Sequence, residues 1–262
     1  MTTVREPAVA GKFYPDDATE LEHMLERFLG ETPAAQGPPP KALIVPHAGY
    51  VYSGPVAASA YARLRPLRTT VRRVVLIGPS HRVSFPGIAT SGAGHFRTPL
   101  GDIAVDQEPA QEIERLAQVR RLDAAHQHEH SLEVHLPFLQ TLLSDFSLVP
   151  LVTGVATAAQ VAEVLELLWG GPETLIVVSS DLSHFHDYHT AREKDSRTSR
   201  AIERLRWEDL DYEDACGRIA VAGLLEAARR RSMTVTTVDL RSSGDTAGGR
   251  DSVVGYGAFL VS

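Results

Sequence analysis

Three histidines each follow a short, continuous apolar segment of the chain. The segments are residues 42–45, 74–77 and 175–178, and the histidines are His47, His81 and His184. Apolar runs of this kind are typical of strands buried on both faces of a parallel sheet. The carboxyl ends of such strands line one edge of the sheet, where ligands bind. Because imidazole is a common metal ligand and the usual acid or base near neutral pH, we expect a metal-binding or acid–base site there.

A second group of ionisable residues lies between residues 125 and 135. The alternation of His126, His128 and His130 is similar to a metal-binding tract, but a polar loop before Ser131, a predicted helix cap, explains it equally well. We expect this segment either to supply metal ligands or to hold the side chains that orient them. The residues assigned to the pocket or to its supporting layer are Tyr50, Glu129, His130, Glu133 and His135.

A carboxylate follows another predicted strand, at residues 234–240. Asp245 lies in the glycine-rich loop 242–249, which contains no Gly-Lys-Thr sequence of a phosphate-binding loop. With His47 and His81, Asp245 would complete two histidines and one carboxylate, the ligand set of many non-haem Fe(II) enzymes. The alternative is that Asp245 only shapes a turn.

The elements that position these residues alternate along the chain. Further strands are predicted at 148–152 and 253–261, and helices at 16–29, 55–64, 108–118, 157–169, 191–205 and 219–230. Asp17 and Glu20 form a predicted cap of the first helix. The alternation predicts an α/β fold, with a central, mostly parallel sheet covered by helices on both faces. A Gly/Pro-rich connector at 30–40 leaves too few residues before it for a separate core, so residues 1–262 are predicted to form a single domain.

Composition narrows the classes of function. The formal charge is −7, from 26 basic and 33 acidic residues, which argues against binding to nucleic acid or an anionic membrane. Cys216 is the only cysteine, so an internal disulfide is excluded and a cytoplasmic location is expected. No apolar run reaches the ~18 residues that a membrane span needs.

Five segments in order resemble the signature sequences of the Memo family, whose bacterial and archaeal members are also called AmmeMemoRadiSam system protein B. One of them is Ser179-Ser180-Asp181-Leu182-Ser183-His184. The others are residues 46–54, 78–81, 98–101 and 129–137, and the opening residues 5–15 are similar too. The resemblance therefore runs from about residue 5 to the C-terminus.

The resemblance implies a fold shared with class III extradiol dioxygenases, which are non-haem Fe(II) enzymes. His47 and His81 match the two histidine ligands of those enzymes, and His184 matches their acid–base histidine. In our hypothesis for the mechanism, Asp181 orients His184. Animal Memo proteins have a cysteine in the loop where this chain has Asp245. Cys216 is predicted to lie too early, inside a helix, so Asp245 is the predicted third ligand.

The combined interpretation is a metal-dependent oxidoreductase that uses iron or copper. Two alternatives stay open: a non-catalytic module that binds a peptide, a small molecule or a partner in the same pocket, and a zinc hydrolase. The resemblance also implies an Ammecr-type protein and a radical SAM enzyme as partners.

Overall fold

A computed structural model describes residues 3–33 and 37–262; residues 34–36 of the predicted connector lie outside this range. Twelve strands occur within these ranges: β1 (Val4–Arg5), β2 (Ala42–Val45), β3 (Arg73–Pro79), β4 (Ile88–Thr90), β5 (His95–Thr98), β6 (Gly101–Ala104), β7 (Val119–Arg121), β8 (Ser147–Thr153), β9 (Thr174–Ser179), β10 (His184–His186), β11 (Val235–Ser242) and β12 (Val253–Val261). The same ranges contain eight α-helices: α1 (Ala18–Gly30), α2 (Tyr50–Tyr61), α3 (Gln107–Ile113), α4 (Asp123–Gln127), α5 (Leu136–Leu142), α6 (Ala158–Leu167), α7 (Tyr188–Glu203) and α8 (Arg218–Arg230).

The large sheet is mixed rather than mostly parallel. Across the described residues its nine strands run in the order β10-β12-β2-β9-β3-β8-β4-β7, and β11 pairs with β12. The four central strands β2, β9, β3 and β8 are mutually parallel, as predicted. The strands on either side of them join this group antiparallel, β12 to β2 and β4 to β8, whereas β7 at the edge pairs with β4 in parallel. The sheet therefore has a parallel centre with an antiparallel pairing at each border of that centre.

Helices cover both faces of the sheet. Along β2, Leu43 and Val45 belong to the core cluster that contains buried residues of α1 and α2, whereas Ala42 and Ile44 belong to the cluster that contains residues of α6 and α8. This alternation follows from the two-residue period of a strand. The predicted continuous apolar runs are thus strands with a core on each side. No helix within residues 3–33 and 37–262 is long and apolar enough to cross a membrane.

The bounds of the strands agree closely with the prediction, but one bound of each of two helices does not. Strands β2 and β12 have the predicted ends, and Asp17 caps α1 by accepting a hydrogen bond from the Glu20 amide at 2.9 Å. Helix α2 begins at Tyr50, five residues before the predicted start, and contains Pro55 in its interior. Helix α3 ends at Ile113, five residues before the predicted end.

The topology brings the predicted strand-end residues to one edge of the sheet. Strands β2 and β3 both pair with β9 in parallel, with Val45 opposite Ser179 and Ile77 opposite Val178. The segments that leave these strands carry His47, His81 and Asp181. Because the three strands are neighbours and point the same way, these residues lie close together.

Candidate metal centre

His47 is a buried imidazole whose proton is placed by its neighbours. Its Nδ1 atom lies 2.6 Å from Ser179 Oγ, and that hydroxyl donates its own proton to the Ser131 carbonyl at 2.6 Å. Ser179 Oγ is therefore the acceptor from Nδ1–H, which leaves the lone pair on Nε2. Burial, together with the nearby His81 and His130, holds the pKa of His47 well below its ordinary value. A neutral ring with a free Nε2 is the form that binds a metal ion.

His81 is oriented by a buried carboxylate. Its Nδ1 lies 2.9 Å from Glu129 Oε1, and Glu129 also accepts hydrogen bonds from the backbone amides of His81, His130 and Ser131. Burial alone would raise the pKa of Glu129, but these hydrogen bonds outweigh it and lower the pKa to about 2. The carboxylate is thus charged and fixes the proton of His81 on Nδ1. This is the arrangement by which carboxylates orient metal-binding histidines.

Cys216 completes a group of three ligand atoms. One ligand atom from each of His47, His81 and Cys216 lies within 4.8 Å of the other two. The thiol Sγ is 3.3 Å from His47 Nε2. Burial, followed by the charge of Asp181, raises the pKa of the Cys216 thiol. A bound cation would reverse this effect, because a coordinating thiol loses its proton.

The placement of Cys216 corrects the sequence interpretation. Cys216 lies in the turn before α8, not inside a helix, and Gly217 is the N-terminal cap of that helix. A Cβ atom on residue 217 would lie 2.3 Å from the Ser179 carbonyl oxygen, so only glycine allows this close approach. The Cys-Gly pair immediately before an apolar helix was the signal in the sequence that could have identified the residue.

Asp245 lies apart from the three-ligand group. Its carboxylate accepts hydrogen bonds from the Tyr188 hydroxyl at 2.5 Å and from the Ser242 amide at 2.9 Å, closing a short turn. Burial would raise the pKa of Asp245, but these hydrogen bonds lower it. Asp245 belongs to neither candidate metal-ligand group found among the described residues. Its structural role is that of the turn residue considered above as the alternative.

His130 lies beside the three-ligand group. Its ring stacks on that of His81, with centroids 4.6 Å apart, and meets the ring of His47 edge-on at 5.5 Å. With His81 and Glu129 it forms a second group whose ligand atoms lie within 4.8 Å of one another. Burial lowers the pKa of His130. The expectation that the 125–135 segment contributes side chains next to the strand-end histidines therefore agrees with this geometry.

Asp181 is bound to His47 rather than to His184. Its Oδ1 accepts a hydrogen bond from the His47 amide at 2.7 Å, and its Oδ2 lies 4.0 Å from His47 Nε2. Among the described residues no hydrogen bond joins Asp181 to His184, which corrects the expected orientation of His184. Burial raises the pKa of Asp181. His184, half-buried on β10, is close enough for its charge to influence the pKa of both His47 and Asp181.

The remaining pocket candidates hold the surrounding backbone. The Tyr50 hydroxyl donates to the Val134 carbonyl at 2.6 Å, and Glu133 accepts hydrogen bonds from Tyr14, the Ala8 and Val9 amides and Arg5. His135 is buried, and burial lowers its pKa. Ser131, the predicted helix cap, instead donates its hydroxyl proton to the Pro79 carbonyl at 2.7 Å. These groups support the site through the 129–137 segment.

Replacing Glu129 with glutamine tests the orientation of His81. All the partners of Glu129 are N–H donors, so the amide group of glutamine would face a donor and lose at least one hydrogen bond. We expect the affinity for Zn²⁺ or Cu⁺ to fall by about 10- to 100-fold, the usual effect of losing a group that orients a ligand. Competition titration with a chromophoric chelator measures it. Glu163→Gln, an exposed carboxylate on α6, is the control; equal affinities for the two variants would contradict the role of Glu129.

Comparisons with known proteins cover nearly the whole chain. The family description "Memo-like protein" matches residues 5–260. A MEMO1 family protein of Aquifex aeolicus is 36% identical over 97% of both chains. A second one, of Sulfolobus acidocaldarius, is 35% identical over 97% of both chains.

Among solved structures, the chain is similar to an uncharacterized protein from Escherichia coli K12. The TM-score is 0.53 at 14% identity, covering 84% of this chain and 98% of the other. At that identity the likeness concerns the fold alone. The expected similarity to extradiol dioxygenases stays a prediction.

Proposed function

This chain belongs to the Memo family, and from that premise we propose that it is a metal-dependent oxidoreductase whose ion, copper or iron, is held by His47, His81 and Cys216. The convergence of three ligand atoms within 4.8 Å is the observation that supports the proposal most strongly. Metal–nitrogen and metal–sulfur bonds of about 2.0–2.3 Å need only small side-chain shifts from that spacing.

The chemical type of the ligand atoms limits which metal ion the site would bind. Two imidazoles and one thiolate form a softer set than the two histidines and carboxylate expected from the sequence. Thiolate favours copper and zinc over hard cations, and a site of two histidines and one cysteine is typical of copper proteins that transfer electrons. We therefore place copper first and iron second. Zinc fits the same donors but supports no redox chemistry.

The protein side chains have separate roles in this proposal. The bound metal would supply the electron-transfer chemistry. Ser179 and Glu129 hold the Nδ1 protons of His47 and His81, so each ring presents Nε2. Asp181 anchors the loop of His47 by accepting a hydrogen bond from the His47 amide, and His184 at the edge of the site would exchange protons with the substrate.

A binding module that uses the same pocket is the second candidate. Large side chains next to the site are exposed to solvent, with Tyr212 at 75% and Val155 at 67%. Exposed apolar surface of this kind is typical of binding sites. The proposed partners, an Ammecr-type protein and a radical SAM enzyme, would use such surface. A protein that binds metal but shows no metal-dependent redox turnover would favour this candidate.

Replacing Cys216 with serine tests the proposed ligand set. Serine keeps the size of the side chain but replaces a soft sulfur by a hard oxygen, so Cu⁺ affinity is expected to fall by at least about 100-fold. The Cu²⁺ form should also lose its thiolate charge-transfer absorption. Chelator competition and visible spectroscopy measure the two effects. Wild-type affinity in a folded Cys216→Ser protein would remove Cys216 from the site and leave the proposal without its third ligand.

A further inference from the structure

A groove leads from the candidate metal centre to the surface. It encloses about 370 Å³, within the range of small-molecule sites. Its lining includes His81 and Cys216, two of the three proposed ligands. A molecule lying in the groove would therefore be able to contact two of the proposed ligands.

The walls of the groove are mainly apolar. Val83 and Phe85 come from the loop after β3, Val155 from the loop after β8, and Tyr212 and Ile219 from the segment around the start of α8. Val155 and Tyr212 keep most of their surface in water. Tyr212 is held in place by the Arg218 guanidinium, 4.5 Å from the centre of its ring. Covering these side chains with an apolar ligand is favourable because it removes apolar surface from water.

The charge of the groove is opposite to that of the protein. The chain carries a formal charge of −7, yet no Asp or Glu of residues 3–33 and 37–262 lines the groove. Arg82 lies at its rim, exposed, and within the same residues its guanidinium has no hydrogen-bond or ion-pair partner. The other nearby cation, Arg218, is engaged with Tyr212 and with the Leu210 carbonyl. Arg82 is thus a free cation beside an apolar cleft.

We infer that the groove binds a small organic acid with an apolar body, the carboxylate pairing with Arg82 and the body lying between Val155 and Tyr212. A single guanidinium matches a single carboxylate, to which it can donate two parallel hydrogen bonds. That this organic acid is also the substrate rests on the proposed function, because the ligand would reach the same metal centre. Binding of the organic acid depends only on the residues of the groove.

Hexanoate and hexan-1-ol are suitable probes, since they share an apolar chain and differ in charge. Binding is measured by amide chemical shifts of the full ¹⁵N-labelled chain, both metal-free and zinc-loaded. We expect hexanoate to shift the amides of Val83, Val155 and Ile219 and to bind more tightly than hexan-1-ol. Arg82→Gln should weaken hexanoate about 3- to 10-fold and leave hexan-1-ol unchanged. Arg115→Gln, an exposed arginine elsewhere, should change neither, and Val155→Asp should weaken both.

Three results would overturn the inference: equal affinity for the two probes, shifts confined to another surface, or the same response of the Arg82 and Arg115 variants. The titration of the metal-free protein distinguishes a failure of this inference from a failure of the proposed function. Hexanoate in the groove of a protein that fails to bind copper would contradict only the metal proposal. A protein that binds copper but shows none of these shifts would contradict only the organic-acid assignment.

Discussion

Replacing His47 with alanine is expected to reduce Cu⁺ affinity by more than about 100-fold, because the loss of a ligand exceeds the 10- to 100-fold effect of losing a group that only orients one. The ring of His47 is the most deeply enclosed of the three proposed ligands and contacts both Cys216 and the ring of His81. The backbone amide of residue 47 still donates to Asp181 in the variant, so the loop keeps its main anchor. Elemental analysis and chelator competition give the readout.

His128→Ala is the matched control for this experiment. His128 is exposed and lies outside both candidate ligand groups of the described residues, so its loss should leave the bound metal unchanged. Added imidazole, which can enter the space left by the His47 ring, should restore part of the metal binding. Full metal content in a folded His47→Ala protein, or equal losses in the two variants, would show that the metal is bound elsewhere.

Breaking the buried ion pair between Arg5 and Glu133 is expected to have a large effect on the stability of the fold. Both side chains are almost fully buried, and Arg5 also donates to the carbonyls of His126 and Glu129. Glu133→Gln leaves the guanidinium buried without its counter-charge. We expect the free energy of unfolding to fall by about 3–5 kcal/mol, the usual result of removing one partner of a buried pair. Urea unfolding of the metal-free protein measures it.

A double replacement separates the unpaired charge from the lost packing. Arg5→Met with Glu133→Leu removes both charges, so it should be more stable than Glu133→Gln alone. Recovery is expected to be incomplete, since the Ala8 and Val9 amides and the Tyr14 hydroxyl also donate to Glu133. A Glu133→Gln protein as stable as the wild type would mean that the pair does not hold the N-terminal segment in place.

The strands were predictable because their signal is local. Residues 42–45 and 253–261 are apolar at nearly every position, and strands buried on both faces require that pattern. The three-stranded sheet of β1, β5 and β6 was not predicted, because such short strands have no clear pattern of their own. The antiparallel pairings at the two borders of the parallel centre were missed for a related reason. Strand direction depends on which strands become neighbours, and apolar patterning does not encode that.

The carboxylates of the 125–135 segment show a second limit of the sequence. Glu129 and Glu133 have the same chemistry and lie four residues apart, and both were placed in the layer that supports the pocket. Glu129 orients His81, whereas Glu133 neutralises Arg5 and holds the N-terminal segment. Only their different neighbours separate the two roles, and those neighbours lie 48 and 128 residues away in the chain.

The sequence by itself determined that a histidine follows each of several buried strands, because the apolar pattern of such strands is local and the carboxyl ends of parallel strands share one edge of a sheet. It therefore predicted that His47 and His81 lie together, and the centres of their rings are 5.2 Å apart. Only the tertiary structure places the Cys216 thiol, and not the Asp245 carboxylate, in one candidate ligand group with His47 and His81. The turn before α8 folds against Ser179, with Gly217 allowing the contact, and brings the thiol to His47 across 169 residues of chain. Asp245 is held in its own turn by Tyr188 and Ser242. Such a choice depends on which backbone segments pack against each other, and spacing along the sequence carries no record of it.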